Sequence, residues 1–369
     1  MQYLFYVLAG LIYLPVGIYL YYFFRRLWKW AAPDRGNRIS RILCAAAALV
    51  CIGLAWPIYG LGAVIVLYFL AVCLIMDLLH QIFGKRWGGR KRRIWNVLRC
   101  SGFPGLLVIL LAFSYGFVNM RHVTKKEYTV TTEKLANGER LKIAAITDLH
   151  LGTTMDASEL QEWCEKIGSE EPDLLVLVGD IFDENTKKEQ MEQAAEILAQ
   201  VPSTYGTYYV WGNHDPNWYT DQPQYTLDEL CEKLEDEGIR VLEDEVWDVS
   251  DQFCLIGRRD ASAPQRTDLE ELTENIEPDK MRILLDHQPG DLKENEQAGI
   301  DLQISGHTHA GQIWPTGQLM ELMGINEINY GYRQMGNLQV IVSSGMAGWG
   351  YPIRTGGHCE YVMIQVVGT

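Results

Sequence analysis

The sequence predicts an α/β domain over residues 141–369, preceded by an apolar, helical N-terminal third. Three observations carry this reading. Composition breaks sharply near residue 120. Beyond residue 140, short apolar runs alternate with segments of helical spacing and capping chemistry. The chemically distinctive polar residues fall directly after the apolar runs. Those are the carboxyl ends of the expected strands, where open α/β sheets bind their ligands.

Residues 1–120 hold 13 Lys and Arg against two acids, Asp34 and Asp77, a net charge of +11. The rest of the chain holds 19 against 45, a net charge of −26, so the overall −15 conceals two unlike parts. The acidity of the larger part argues against nucleic acid as a partner, because phosphate backbones need basic surfaces. Its length is ample for a core of its own. The eight Cys include no CxxC pair, which argues against a thiolate metal site and against a disulfide framework.

Four apolar stretches, roughly 3–24, 42–59, 61–83 and 102–118, approach the ~20 residues a helix needs to cross the hydrocarbon core. They predict about four transmembrane helices within residues 1–120. They lack the charged face a soluble helix keeps. Asp77 and His80, one turn apart near the end of the third stretch, read as interfacial. Positive charge follows the first stretch, unlike a cleavable signal peptide. The loop after the first stretch carries Arg25, Arg26, Lys29, Arg35, Arg38 and Arg41. The loop after the third carries Lys85, Arg86, Arg90, Lys91, Arg92, Arg93 and Arg99, and the loop around Gly60 carries none. By the positive-inside rule both basic loops face the cytoplasm. Four spans then put both termini outside, in a multi-pass cell-membrane protein with an extracytoplasmic acidic domain.

Residues 121–140 read as a connector and a first hairpin, with turn chemistry at Asn137-Gly138. The run 141–147 ends in Asp148-Leu149-His150, and a helix follows over about 158–167. The run 173–178 ends in Gly179-Asp180. The next helix, about 187–199, opens on the capping-box pattern Thr186-x-x-Glu189. The run 207–211 ends in Gly212-Asn213-His214-Asp215, and the helix after it is headed by Thr226-x-x-Glu229. Later strand-like runs fall at 240–242, 253–256, 282–285, 302–304, 338–342 and 361–366.

Five segments carry the chemistry: Asp148-x-His150, Gly179-Asp180-x-x-Asp183, Gly212-Asn213-His214-Asp215, Asp286-His287 and Gly306-His307-Thr308-His309. They contain five of the chain's eight His. Each is weak alone, and the ordered set at successive strand ends is specific. Carboxylate, imidazole and amide oxygen together suit Mn, Fe or Zn. In extended backbone, residues i and i+2 point the same way, so Asp148 and His150 are expected to share one metal, as are His307 and His309. The two oxygens of Asp180 allow it to bridge two cations. Glycines at 179, 212 and 306 permit tight turns.

These segments resemble the calcineurin-like metallophosphoesterase superfamily across about residues 141–345. Asp148-Leu149-His150-Leu151-Gly152, Gly306-His307-Thr308-His309-Ala310-Gly311-Gln312 and Ser343-Ser344-Gly345 are similar to its bacterial membrane-associated branch. The resemblance implies a four-layer αββα sandwich. It implies one divalent metal on Asp148, His150, Asp180 and His309, and a second on Asp180, Asn213, His287 and His307, with every ligand position filled. Two cations ~3.5–4 Å apart lower the pKa of a bridging water, and the resulting hydroxide attacks phosphorus in line. Asn213 helps offset charge on the phosphoryl oxygens. His214 is the candidate to steady the transition state or protonate the leaving oxygen, with Asp215 orienting its ring.

Arg354, with Asn213 and His214, makes up the expected substrate-binding set, since Arg suits bidentate oxyanion contact; a plain salt bridge is its alternative role. Asp183 reads either as a support for the ligands or as a helix cap, and Asp286 either as a support or as solvent-exposed. His358 reads as an ordinary loop residue. Trp218, Tyr219, Trp314, Trp349 and Tyr351 are expected in packing or in a pocket wall, and the apolar segment 319–332 at lipid or over the site. The functional expectation is a membrane-anchored, dinuclear-metal phosphoric ester hydrolase of mono- or diesters, with a lipid or envelope substrate favoured by the tether. The other reading is a membrane sensor or binding protein on the same fold. It is disfavoured because a decayed site lacks ligands and none is missing.

Overall fold

The computed structural model describes residues 2–56, 60–84 and 86–369, with side chains from residue 13 onward. Lys85 and the end of the second apolar stretch, 57–59, lie outside the described residues, as do the side chains that open the first stretch. The chain divides into two compact units, 1–115 and 116–369.

In the first unit the apolar stretches are helices α1 (Gln2–Ala31), α2 (Arg38–Leu54) and α3 (Leu61–Phe83). The second basic segment, expected as a loop, is mostly a further helix, α4 (Gly89–Ser101). Its Arg and Lys are good helix formers, and Gly102 closes it in the left-handed region at φ 73°. Helix α5 (Phe103–Met120) follows. Among the described residues, two helices are long and apolar enough to cross a membrane, Leu61–Phe83 and Phe103–Met120. Of the four expected spans, α2 has only 17 residues, short of the ~20 a perpendicular crossing takes. Asp77 is not isolated. Arg26 Nη1 (2.7 Å), Arg99 Nε (2.6 Å) and Tyr19 Oη (2.6 Å) all donate to it.

The second unit holds two six-stranded sheets. The first contains β1 (Val123–Thr132), β2 (Arg140–Ile146), β3 (Leu174–Val178), β4 (Thr207–Val210), β5 (Arg240–Val241) and the last strand, β12 (Cys359–Gly368), in the order β1-β12-β2-β3-β4-β5. The second contains β6 (Glu245–Asp248), β7 (Phe253–Gly257), β8 (Met281–Leu285), β9 (Leu302–Ser305), β10 (Gly331–Met335) and β11 (Leu338–Val342), in the order β10-β11-β9-β8-β7-β6.

The expected hairpin over 121–140 is replaced by a three-strand arrangement. β12 lies between β1 and β2, parallel to the first and antiparallel to the second. β12 is ten residues long and almost wholly buried, so it needs partners on both edges. A local hairpin would leave it only an edge position. The Asn137-Gly138 turn does form, with Gly138 at φ 82°, and the Gly138 N–H donates to the Gly368 carbonyl of β12.

Strand alternation sorts the core into layers. Ile143, Val176 and Val210 of the first sheet face Leu255, Ile283 and Ile304 of the second. On the outer side of the first sheet, Ile146, Leu175 and Leu177 meet Leu160 and Ile167 of α6 (Ala157–Ser169), Met191 and Leu198 of α7 (Lys188–Ala199), and Leu230 and Leu234 of α8 (Leu227–Asp236). On the far side of the second sheet, Leu284 and Val340 pack with Leu292 and Ile300 around α10 (Leu292–Gln297). Each fully buried Leu, Ile or Val contributes about 1.5–3 kcal/mol. The interlocked αββα layers give the strand ends a rigid base.

Two helix starts were open to a capping test. Thr226 caps α8 with a full capping box, as its spacing predicts. Thr186 does not cap α7, whose first flanking residue is Lys187. The Thr186 hydroxyl instead donates to the Leu151 carbonyl (2.6 Å) and accepts from the Asp183 N–H (3.0 Å). It ties the loop after β3 to the loop after β2.

Candidate metal centre

Every one of the five segments lies at the carboxyl end of a strand: 148–150 beyond β2, 179–183 beyond β3, 212–215 beyond β4, 286–287 beyond β8 and 306–309 beyond β9. The chain does not run extended there. Asp148, His150, Asp180, His307 and His309 all have positive φ, between 42° and 68°. The i, i+2 strand argument is therefore corrected. Asp148 and His150 do fall in one group of ligand atoms, but His307 and His309 fall in different groups, because sharp left-handed kinks turn each side chain separately, at a local cost of ~1–3 kcal/mol each that the surrounding fold sustains. Gly179 takes φ 77°, a true glycine turn. Gly212 and Gly306 serve by absence of a side chain, since a Cβ at Gly212 would strike Asp180 and one at Gly306 would strike Asp148.

Two groups of potential ligand atoms result. Asp148, His150 and His309 form one, and Asp180, His287 and His307 form the other; within each group the atoms lie within 4.8 Å of one another. His150 Nε2 and His309 Nε2 stand 3.2 Å apart, and His150 Nε2 is 3.8 Å from Asp180 Oδ2. Asp180 thus adjoins both groups.

The residues fit a pair of cations on an observation internal to the protein. His287 Nδ1 lies 2.9 Å from the Val178 carbonyl, which can only accept, so Nδ1 carries the proton. In the neutral ring Nε2 then presents a lone pair to Asp180 Oδ2 at 3.1 Å. Buried His287 Nε2 has no hydrogen-bond partner, nor has buried Asn213 Oδ1. Opposed lone pairs in a dry site demand a positive charge between them. A divalent cation or a proton on Nε2 supplies such a charge. Burial acts against the charged His287 ring, yet Asp180 holds its pKa well above the usual value. Burial likewise opposes ionisation of Asp180, and His287 holds its carboxyl well below the usual range. His309 is driven well below its ordinary pKa by burial and by His150, and His307 is lowered by burial and His287. Neutral imidazoles are the form that coordinates metal.

The surroundings correct two expectations and supply a missing residue. Asp215 does not orient the His214 ring. Its buried carboxylate accepts from the N–H groups of Asp180 (2.7 Å), Phe182 (2.9 Å) and Gly212 (2.7 Å), so it ties the loops after β3 and β4 together. The partner of His214 is Glu184, whose carboxylate oxygens lie 3.0 and 3.1 Å from His214 Nδ1. Burial lowers the His214 pKa, but the Glu184 bond and Asp180 outweigh it and leave the ring above its ordinary value. Tyr219 and Trp349 flank that ring at centroid distances of 4.9 and 5.4 Å. Glu184 had one sequence signal, an acid beside Asp183 in the loop after a strand.

Arg354, expected to contact substrate, is fully buried. Its guanidinium donates to the carbonyls of His309 (3.0 Å), Ser344 (2.9 Å) and Ala347 (2.7 Å), which fixes the loop that carries His309. The salt-bridge alternative is replaced as well, because its partners are backbone carbonyls. Asp183 Oδ2 lies 3.3 Å from His150 Nδ1, a supporting contact for that ligand. Buried Asp286 pairs with Arg266. His358 Nδ1 meets Asn119 Oδ1 of α5 at 2.8 Å, a structural contact. All eight Cys are free thiols.

Comparison with known proteins places this geometry. The calcineurin-like phosphoesterase family matches residues 141–311. A bovine relative, a transmembrane protein with metallophosphoesterase domain, is 30% identical over 331 residues, 82% of this chain and 71% of the bovine one. The chain belongs to the metallophosphoesterase family. An uncharacterized metallophosphoesterase of Aquifex aeolicus is 29% identical and covers 71% of this chain and 99% of its own length. One from Helicobacter pylori is 32% identical and covers 72% and 69%. The candidate strand-end ligands of this metallophosphoesterase thus fall within the matched region.

Proposed function

We propose that this metallophosphoesterase is a membrane-anchored, dinuclear-metal hydrolase of phosphate esters, with the domain over 121–369 catalytic, its ligand-bearing part at 141–369, and residues 1–120 as the anchor. The observation that carries the reading is the pair of adjoining ligand groups, with His287 Nε2 3.1 Å from Asp180 Oδ2 and buried Asn213 Oδ1 without a hydrogen bond. Asp148, His150, Asp180 and His309 would hold one divalent ion, and Asp180, Asn213, His287 and His307 the other. Mn, Fe or Zn suits those donors. Bound there, the ions supply Lewis acidity that activates water and offsets phosphoryl charge.

The chain's own groups do the rest. Asp180 accepts the His214 N–H at 2.8 Å, so the ligand also sets the position of the proton donor. His214, whose pKa Glu184 helps raise, delivers a proton to the leaving oxygen. Asp215 fixes the two loops that carry Asp180 and Asn213. His309 is held by Arg354 through its carbonyl. A multi-pass topology with the catalytic domain outside the cytoplasm agrees with the two basic segments of the anchor.

The test is release of p-nitrophenol from p-nitrophenyl phosphate and bis(p-nitrophenyl) phosphate by the purified full chain. Activity is expected to vanish on chelation and return with Mn, Fe or Zn. Absence of turnover under every metal rejects the enzymatic reading.

A further inference from the structure

The segment after the His309 loop has an apolar surface that the proposed chemistry does not use. The short helix α11 (Thr316–Leu322) and the turn behind it expose Leu322 at 83%, Met323 at 64% and Ile325 at 62%; Trp314, just before the helix, is 58% exposed. Scattered exposed apolar residues are ordinary. Six large ones within twelve consecutive residues, Leu319 and Met320 included, beside the His309 loop, mark a contact surface.

The excursion is fastened to the metal centre at both ends. It leaves directly after His309, where the Gly311 and Gly317 backbones touch. It returns at Asn329, whose carbonyl accepts the Thr308 hydroxyl at 2.6 Å. It is also fastened to the end of α5, the helix apolar enough to span a membrane. The Gly116 carbonyl accepts the Arg354 N–H at 3.0 Å, and Asn119 Nδ2 donates to the carbonyls of Arg354 (3.0 Å) and Gly357 (2.9 Å). Arg354 in turn donates to the His309 carbonyl, and the Trp314 N–H donates to Thr355 Oγ1 at 3.0 Å. One hydrogen-bonded loop, 353–358, therefore joins the last turn of α5, the ligand His309 and the apolar segment. A helix that leaves the hydrocarbon at Asn119 places whatever grips that turn at the interface. Apolar side chains of such a segment gain by entering it.

We propose that Trp314, Leu322, Met323 and Ile325 dock on the bilayer surface, so that the metal centre takes phosphoesters of lipids presented from the membrane. The inference rests on the phosphoesterase reading above and specifies its substrate class. The occupant is the lipid surface, and the argument for it is continuity with the end of α5.

The test uses the full chain reconstituted in phosphatidylcholine vesicles that contain phosphatidic acid or phosphatidylglycerol, a monoester and a diester. p-Nitrophenyl phosphate and bis(p-nitrophenyl) phosphate serve as soluble probes. One lipid ester is expected to be hydrolysed. In Leu322→Asp/Met323→Asp the ratio of lipid to soluble turnover is expected to fall about tenfold, because charged side chains no longer enter the interface. Both positions are exposed, and retained soluble turnover reports that the variant folds. Turnover of soluble esters with neither lipid ester cleaved overturns the docking inference and leaves the phosphoesterase reading intact. An unchanged ratio in the variant, or a change in oligomeric state instead, also overturns it. No turnover of any ester removes both.

Discussion

Two carboxylates, one in each unit, show what separates a structural charge from a working one. Asp77 receives two guanidiniums and a phenol hydroxyl, every one of them a donor at 2.6–2.7 Å. Charge-assisted bonds of that kind satisfy the carboxylate completely, and nothing further is needed there. Asp180 is more deeply buried and has one comparable donor, the His214 N–H. Its other oxygen faces His287 Nε2 at 3.1 Å and His150 Nε2 at 3.8 Å, atoms that are lone pairs in the neutral rings. A carboxylate surrounded by donors holds a fold together, whereas one that faces imidazole lone pairs is placed to bind a cation.

The largest effect expected from that contrast is at Asp180. Asp180→Asn removes the charge that adjoins both ligand groups. Metal content of the purified chain should fall for both ions, and turnover should drop by roughly 10³-fold or more. Elemental analysis beside a p-nitrophenyl ester assay measures both. Full metal content in the variant would place Asp180 on the same footing as Asp77.

Next in size is His214→Ala, expected to keep both metals and lose ~10²–10⁴-fold in turnover. Equal loss of metal would make His214 a ligand. Smaller again is Glu184→Gln. Glu184 helps raise the His214 pKa, so the protonated donor persists below that raised value and is lost as pH rises through it. Without the carboxylate the pKa falls, and the alkaline limb of the pH–rate profile should move to lower pH. An unmoved limb would assign His214 a purely positional role. The smallest effect on chemistry is expected from Asp77→Asn, which should leave metal content and turnover as they are. It should cost stability, by about 1.5–3 kcal/mol for the loss of bonds to charged groups. A thermal melt of the detergent-solubilised chain reads that change.

What was legible in the sequence divides along similar lines. The candidate ligands Asp148, His150, Asp180, Asn213, His287, His307 and His309 are readable because chemistry dictates residue type, and apolar runs mark the strand ends they follow. Strand periodicity does not disclose the left-handed kinks at five of these positions, which arise from the turn after each strand. The place of β12 between β1 and β2 is hidden because that pairing joins residues more than 200 positions apart. The roles of Arg354 and Asp215 are hidden for the same reason. Sequence neighbours say nothing of either, because each acts on backbone delivered by other strands. Glu184 shows the converse, since the ring it holds lies 30 residues away on the next loop. In the first unit, hydropathy finds the helices, while the 17-residue length of α2 emerges only from its ends.

The most direct test of the central claim is an electron paramagnetic resonance titration of the metal-free full chain with Mn. The account predicts two Mn per chain with a magnetically coupled spectrum, abolished by Asp180→Asn. A single uncoupled six-line signal, indifferent to that substitution, would contradict it.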